Sequence, residues 1–174
     1  DDGSVITADN VLSSAGLPET ARLCRQTPPP ATLSELSYAE TISVLDKPPA
    51  ELGWDDTIIF FNAAERFNYA RPDTLVDETS GVICFPNNYQ YETDDPPMTE
   101  GWLRVTSLAN HEKWRALNEQ QYLAAKDETF MRVQHSAARF LGQGAMQKQA
   151  AHTIATDMFT PLTVERFTGH IGGA

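Results

Sequence analysis

The chain has 174 residues, 41% hydrophobic and 21% charged, which excludes global disorder and bounds the fold to one domain or a large piece of one. Lys and Arg number 13 against 24 Asp and Glu, a net charge of −11 whose field repels phosphate backbones and argues against nucleic acid as a partner. No apolar run approaches the ~20 residues of a membrane-spanning helix, and Cys24 and Cys84 are too few for a disulfide framework and read as reduced, partly buried thiols.

In chain order, Asp1-Asp2-Gly3 reads as a hairpin turn whose first strand would lie upstream. Residues 4–7 and 10–13 predict two short strands or one bent strand. Pro18 opens a helix that runs to about Arg25. Pro28, Pro29 and Pro30 suit neither a helix nor a central strand and mark a boundary. Over 37–46, Tyr38, Ile42 and Val44 share one face at period two, the pattern of a half-buried strand. Pro48-Pro49 ends it, and 50–54 forms one helical turn. The run TIIFF over 57–61 is continuously apolar and predicts a strand buried on both faces.

Residues 63–76 are ambiguous. Residues 81–85 and 102–108 read as further strands, separated by a solvated loop over 87–100 that carries Asp94-Asp95-Pro96-Pro97. From His111 the period changes. Trp114, Leu117, Tyr122, Ala125, Phe130, Val133, Ala137 and Phe140 form one stripe of an amphipathic helix over about 113–141, continuous or broken, which Gly142 and Gly144 end. Residues 151–157 read as a strand. Residues 160–167 read as a helix with Thr160 as N-cap and Pro161 at its first position. Gly172-Gly173-Ala174 is a flexible stretch through which a chain would continue, so both ends fit an excised middle section of a larger protein. Strands grouped together, rather than alternating with helices, predict an α+β fold: a largely antiparallel sheet covered by helices.

The residues supply no self-contained reactive centre. Neither G-x-G-x-x-G nor G-x-x-x-x-G-K-[ST] occurs, and Gly142-Gln143-Gly144 follows a helix, where it caps rather than cradles a phosphate. His111, His135, His152 and His170 are isolated in sequence, so no metal site is expected. There is no G-x-S-x-G elbow, which leaves a scattered Ser14, His152 and Asp157 triad as the remaining hydrolytic arrangement. Trp54, Phe60, Phe61, Trp102 and Trp114 line either a core or an apolar ligand cavity.

Two segments carry a resemblance. DGSVITADNVLSSA, residues 2–15, resembles the stretch of FAD-dependent amine-oxidase and phytoene-desaturase relatives in which a hairpin re-enters the FAD domain. The shared pattern is a D-G turn, an A-D-x-V strand and small residues close to the cofactor. TPLTVERFTGHIGGA, residues 160–174, is similar to the T-P-x-T-x-E-R-[FY]-T-G … G-G-A segment of the phytoene desaturase, carotenoid isomerase and retinol saturase group. That segment lies just before the last FAD-binding stretch of the group. The glycine-rich dinucleotide loop that opens such enzymes and the glycine-rich contact that closes them do not occur in these 174 residues.

The resemblance implies the substrate-binding portion of a FAD-dependent oxidoreductase of the phytoene dehydrogenase-like family. Its substrate would be an apolar isoprenoid or polyene, and its reaction desaturation, saturation or isomerisation. Residues 1–26 would be an edge segment of the FAD-binding domain, 27–157 the substrate-binding domain and 158–174 the return segment. Ser14, Ala15, Gly16, Gly172 and Gly173 are the implied FAD contacts; Phe60, Phe61, Trp102 and Arg166 are the implied substrate pocket. Arg166 would face an anion or pair with Glu165 or Asp157. No catalytic residue is assigned. The partner would be the FAD-binding domain of the same chain, and FAD would be held by the full-length protein, so these residues alone are expected to be inactive. A cytoplasmic enzyme with peripheral membrane contact in its full-length form fits so apolar a substrate. The competing expectation is a stand-alone, non-catalytic module that binds an apolar ligand or a protein partner.

Overall fold

A computed structural model describes residues 3–27, 36–90, 92, 98–170 and 172. Its strands are β1 (Ser37–Leu45), β2 (Ile58–Asn62), β3 (Ser80–Cys84), β4 (Gly101–Ala109) and β5 (Thr153–Phe159). They form one sheet in the order β2-β3-β4-β1-β5, antiparallel at every pairing. The helices are α1 (Leu17–Leu23), α2 (His111–Arg115), α3 (Glu119–Ala138), α4 (Ala145–His152) and α5 (Pro161–Thr168). This is the α+β class expected, with a five-stranded antiparallel sheet.

The period-two pattern of β1 is real, and its two faces have different fates. Ser37, Ala39, Thr41, Ser43 and Leu45 are all buried. The helices α3 and α4 lie against this small, partly polar face. Gln134 Nε2 of α3 donates to Thr41 Oγ1 at 2.6 Å, and Gln149 Nε2 of α4 donates to Ser43 Oγ at 3.0 Å and to Gln134 Oε1 at 2.8 Å. Small side chains admit the helices closely, and the hydroxyls pair amide groups that would otherwise be costly to bury. Around this network Leu45, Ile83, Phe85, Leu103, Val105, Val133 and Met158 make the apolar core.

Several elements depart from expectation for local reasons. The stripe from His111 is two helices. The α2 helix ends at Arg115, and Asn118 starts α3 with a reciprocal cap: its side chain accepts from Gln121 N at 2.9 Å while Gln121 Oε1 accepts from Asn118 N at 3.0 Å. The five-residue step from Leu117 to Tyr122 in the apolar stripe marks this break. The TIIFF run is not buried on both faces. It becomes β2 at the edge of the sheet, where Phe61 packs on the Phe140 ring at 5.0 Å and Phe60 is 79% exposed. Residues 4–13 form no strand, because no described strand offers them a ladder.

An additional helix, α4, follows Gly142 and Gly144, both at positive φ, so β5 begins at Thr153. The start of the 87–100 loop is tied down rather than solvated. Asn88 Nδ2 donates to the carbonyls of Trp54 and Asp56, and Asn87 Oδ1 accepts from Trp102 N, each at 2.8 Å. Asp94, Asp95, Pro96 and Pro97, like the prolines 28–30 and the opening Asp1-Asp2, lie outside the described residues. Both cysteines are free thiols; Cys84 is half-buried, but Cys24 is exposed rather than partly buried. No described helix is long and apolar enough to cross a membrane.

The turn before β3 is held by Asp77. Its carboxylate accepts from Thr79 N, Thr79 Oγ1 and Ser80 Oγ. Burial pushes this carboxyl up, but the Ser80 and Thr79 donors outweigh it and hold it below the usual carboxylate range. A lowered native value stabilises the fold above the ordinary carboxylate pKa, and that contribution is lost as pH falls through the native value. Asp77→Asn should therefore flatten the acid side of the melting-temperature profile between about pH 5 and pH 2, as read by calorimetry. An unchanged acid limb would refute the role given to Asp77.

Candidate functional site

The sheet face away from α3 and α4 carries large apolar side chains together with a few charged ones. Because directly paired residues share a face, the registers arrange it in rows across the strands. Phe60, Val82, Thr106, Glu40 and Phe159 form one row; Ile58, Cys84, Arg104, Ile42 and Asp157 form the next; Trp102, Val44 and Ala155 form a third. Phe60, Ile58 and Phe159 are exposed, while Trp102, Ile42, Val44 and Val82 are half-buried. On β1 the larger apolar side chains thus face outward while serines and a threonine face the helices; on β3 and β4 the sorting is the usual one, with Ile83, Leu103 and Val105 buried on the helix side.

One polar island sits in this face. Arg104 grips Glu40 with both arms, Nε to Oε1 at 2.7 Å and Nη2 to Oε2 at 2.9 Å, and Thr106 Oγ1 adds a donor to Glu40 Oε2 at 3.2 Å. The Glu40 carboxylate pushes the guanidinium further up from its already high value, and its charge offsets that of Arg104. Sequence reasoning passed over these residues. Their signal is an interruption: Glu40 and Arg104 each break an apolar alternation, in neighbouring rows and diagonally across the β1–β4 pair.

Of the residues expected in a substrate pocket, Phe60 and Trp102 share this face. Phe61 points to the opposite, helix-covered side. Arg166 is on α5, exposed, with its guanidinium carbon 5.5 Å from the centre of the Phe167 ring. It pairs with neither anticipated acid. Glu165 binds His111 Nε2 at 2.8 Å and Arg115 Nη2 at 3.1 Å, which ties α5 to α2, and Asp157 binds Lys126 Nζ at 3.1 Å.

The residues expected near a cofactor come from opposite ends of the chain, and the fold brings two of those segments together. Thr160 caps α5, Gly169 at φ 71° reverses the chain after it, and His170 reaches Gly16. A Cβ on Gly16, itself at φ 83°, would lie 2.9 Å from His170 Nε2. Gly172 is buried, at φ 85°. Ser14 and Ala15 are exposed beside the contact, where Ser13 Oγ meets Thr20 Oγ1 at 2.7 Å. Gly173 lies outside the described residues.

The scattered hydrolytic triad is not assembled. Ser14 is exposed, His152 Nδ1 is engaged with Asp46 Oδ1 at 2.9 Å, and Asp157 is engaged with Lys126. The chain matches no protein-family model and no curated protein.

Proposed function

We propose that this chain is the substrate-binding portion of a FAD-dependent oxidoreductase of the phytoene dehydrogenase-like kind, with an apolar isoprenoid or polyene as substrate. The observation that carries the reading is the uncovered sheet face, on which Phe60, Ile58 and Phe159 are exposed and Val82, Ile42, Val44 and Trp102 are half-buried. An apolar ligand, closed in by the rest of the enzyme, would remove that face from water. Area burial stabilises by about 25 cal/mol per Å2, so an extended polyene is well matched to rows of Phe60, Val82, Ile42, Val44 and Trp102. The neutral Arg104–Glu40 pair leaves no net charge there to oppose an uncharged ligand.

The meeting of Gly16 with His170 supports the same reading, since both resemblance segments would then enter one neighbouring domain side by side. The residues fit the rim of a flavin site rather than a nucleotide cradle. Ser14 and Ala15 are open to a partner surface, whereas the approach at Gly16 is taken by His170. When bound, FAD supplies the two-electron redox chemistry; this chain supplies the shape, the apolar walls and the exclusion of water.

The test is to purify the protein within its full reading frame and add polyenes without oxygen. The reading predicts a yellow protein whose flavin colour bleaches, or whose polyene spectrum shifts, on mixing. A colourless protein that still binds an apolar ligand would replace it with the stand-alone module.

A further inference from the structure

Along the β5 edge of the sheet, α3, β5 and α5 enclose two open troughs. One, of about 450 Å3, is walled by Leu123, Phe130, Met131 and Met158. The other, of about 430 Å3, is walled by Tyr122, Phe159, Leu162 and Phe167 and carries Arg166. Lys126 and Asp157 line both, so their ion pair forms a saddle between the two.

The charges along this groove are unequal. Asp157 neutralises Lys126, whereas Arg166 makes no ion pair among the described residues and rests against the Phe167 ring. A chain of net charge −11 thus places one uncompensated cation at the end of an apolar trough. Leu123 and Met131 are each 57% exposed and Phe167 is 77% exposed, so these three are apolar surface that the core does not use, set on a floor of Met158, Phe130, Tyr122 and Leu162 that belong to the core or pack on it. Leu123 to Met131 is eight steps of α3, about 12 Å of helix.

We propose that this groove binds a free single-chain amphiphile with a carboxylate head. The head sits on Arg166, whose planar fork matches two carboxylate oxygens. The tail crosses the Lys126–Asp157 saddle and lies against Leu123, Phe130 and Met131. A neutral hydrocarbon would cover the walls but strip water from the Arg166 guanidinium without replacing it. This groove meets the open sheet face at Phe159 and Asp157 on the β5 edge, and the proposal does not rest on flavin chemistry.

Calorimetric titration of the 174-residue protein with decanoate, below its micelle concentration, should show one site. Acetate, the head without the tail, and 1-decanol, the tail without the charge, should each bind at least about tenfold more weakly. Arg166→Gln should weaken decanoate about tenfold and leave decanol unchanged. Met131→Glu, at an exposed position, should weaken both and stands as a second variant if Arg166→Gln disturbs α5. Equal binding of decanoate and decanol overturns the proposal, as does decanoate binding that is indifferent to both substitutions. Uptake of the protein by phosphatidylserine vesicles with no binding of monomeric decanoate also overturns it and makes the groove a membrane-contact surface.

Discussion

Trp114→Ala should remove about 3–5 kcal/mol of folding stability, measured as a shift of the urea midpoint at constant slope. Trp114 is fully buried where α2 meets the sheet, its Nε1 donates to Leu75 O at 3.0 Å, and its ring meets Tyr122 edge-on at 5.7 Å. Truncation opens a cavity, removes one of the two donors to the Leu75 carbonyl and removes the support for the Tyr122 hydroxyl that reaches Thr160 at 3.0 Å. A domain of this kind holds about 5–15 kcal/mol in total, so the loss is a large part of it. Trp114→Phe isolates the polar share. It keeps most of the ring and should cost about 0.5–1.5 kcal/mol, the net worth of one hydrogen bond, because Asn110 N still donates to the Leu75 carbonyl at 3.0 Å. An alanine variant within about 1 kcal/mol of the parent would mean that this corner repacks freely.

Gly101→Ala should be at least as damaging, for a different reason. Gly101 begins β4 opposite Leu45, and a Cβ there would sit 2.1 Å from Lys47 O and 3.0 Å from Leu45 Cβ. The obstacle is backbone and cannot rotate aside, so the ends of β1 and β4 must separate. Overpacking of an ordinary core costs about 1–3 kcal/mol; this overlap should reach the top of that range or pass it. Gly142→Ala is the control. It has φ 87° and nothing within 4 Å of the added carbon, so it carries only the left-handed backbone cost of about 1–2 kcal/mol. Equal midpoints for the two variants would refute the steric account of Gly101.

Much of the sheet was legible in the sequence because alternation of side chains is a one-dimensional signal. The β1 pattern, the prolines that close it and the Thr160-Pro161 start of α5 all read directly. The cap between α2 and α3 was also available, as Asn118 three residues before Gln121. Alternation gives parity, however, and not the side on which another layer will pack. Tyr38, Ile42 and Val44 announce an apolar face, but only Gln134 and Gln149, about a hundred residues later, show that the helices take the hydroxyl-bearing side instead. The edge position of β2 was hidden for the same reason: a continuous apolar run looks alike in the centre of a sheet and at its rim. The Gly16–His170 contact and the Arg104–Glu40 pair join distant segments, so each residue alone carried a weak signal.

The strand order has a kinetic consequence. The β2-β3-β4 meander is made of neighbours in sequence and can zip locally. The strand between β4 and β5, β1, cannot, because Ser37 Oγ meets Ala109 O across 72 residues, and β5 is later still. Closing so long a loop must precede the contacts that reward it, which places this topology among slower folders. As the polypeptide emerges from the ribosome, its first strand waits unpaired, apolar side out, until β4 has been made. A chaperone that shields Tyr38, Ile42 and Val44 during that interval would speed recovery of the native state without altering its final stability.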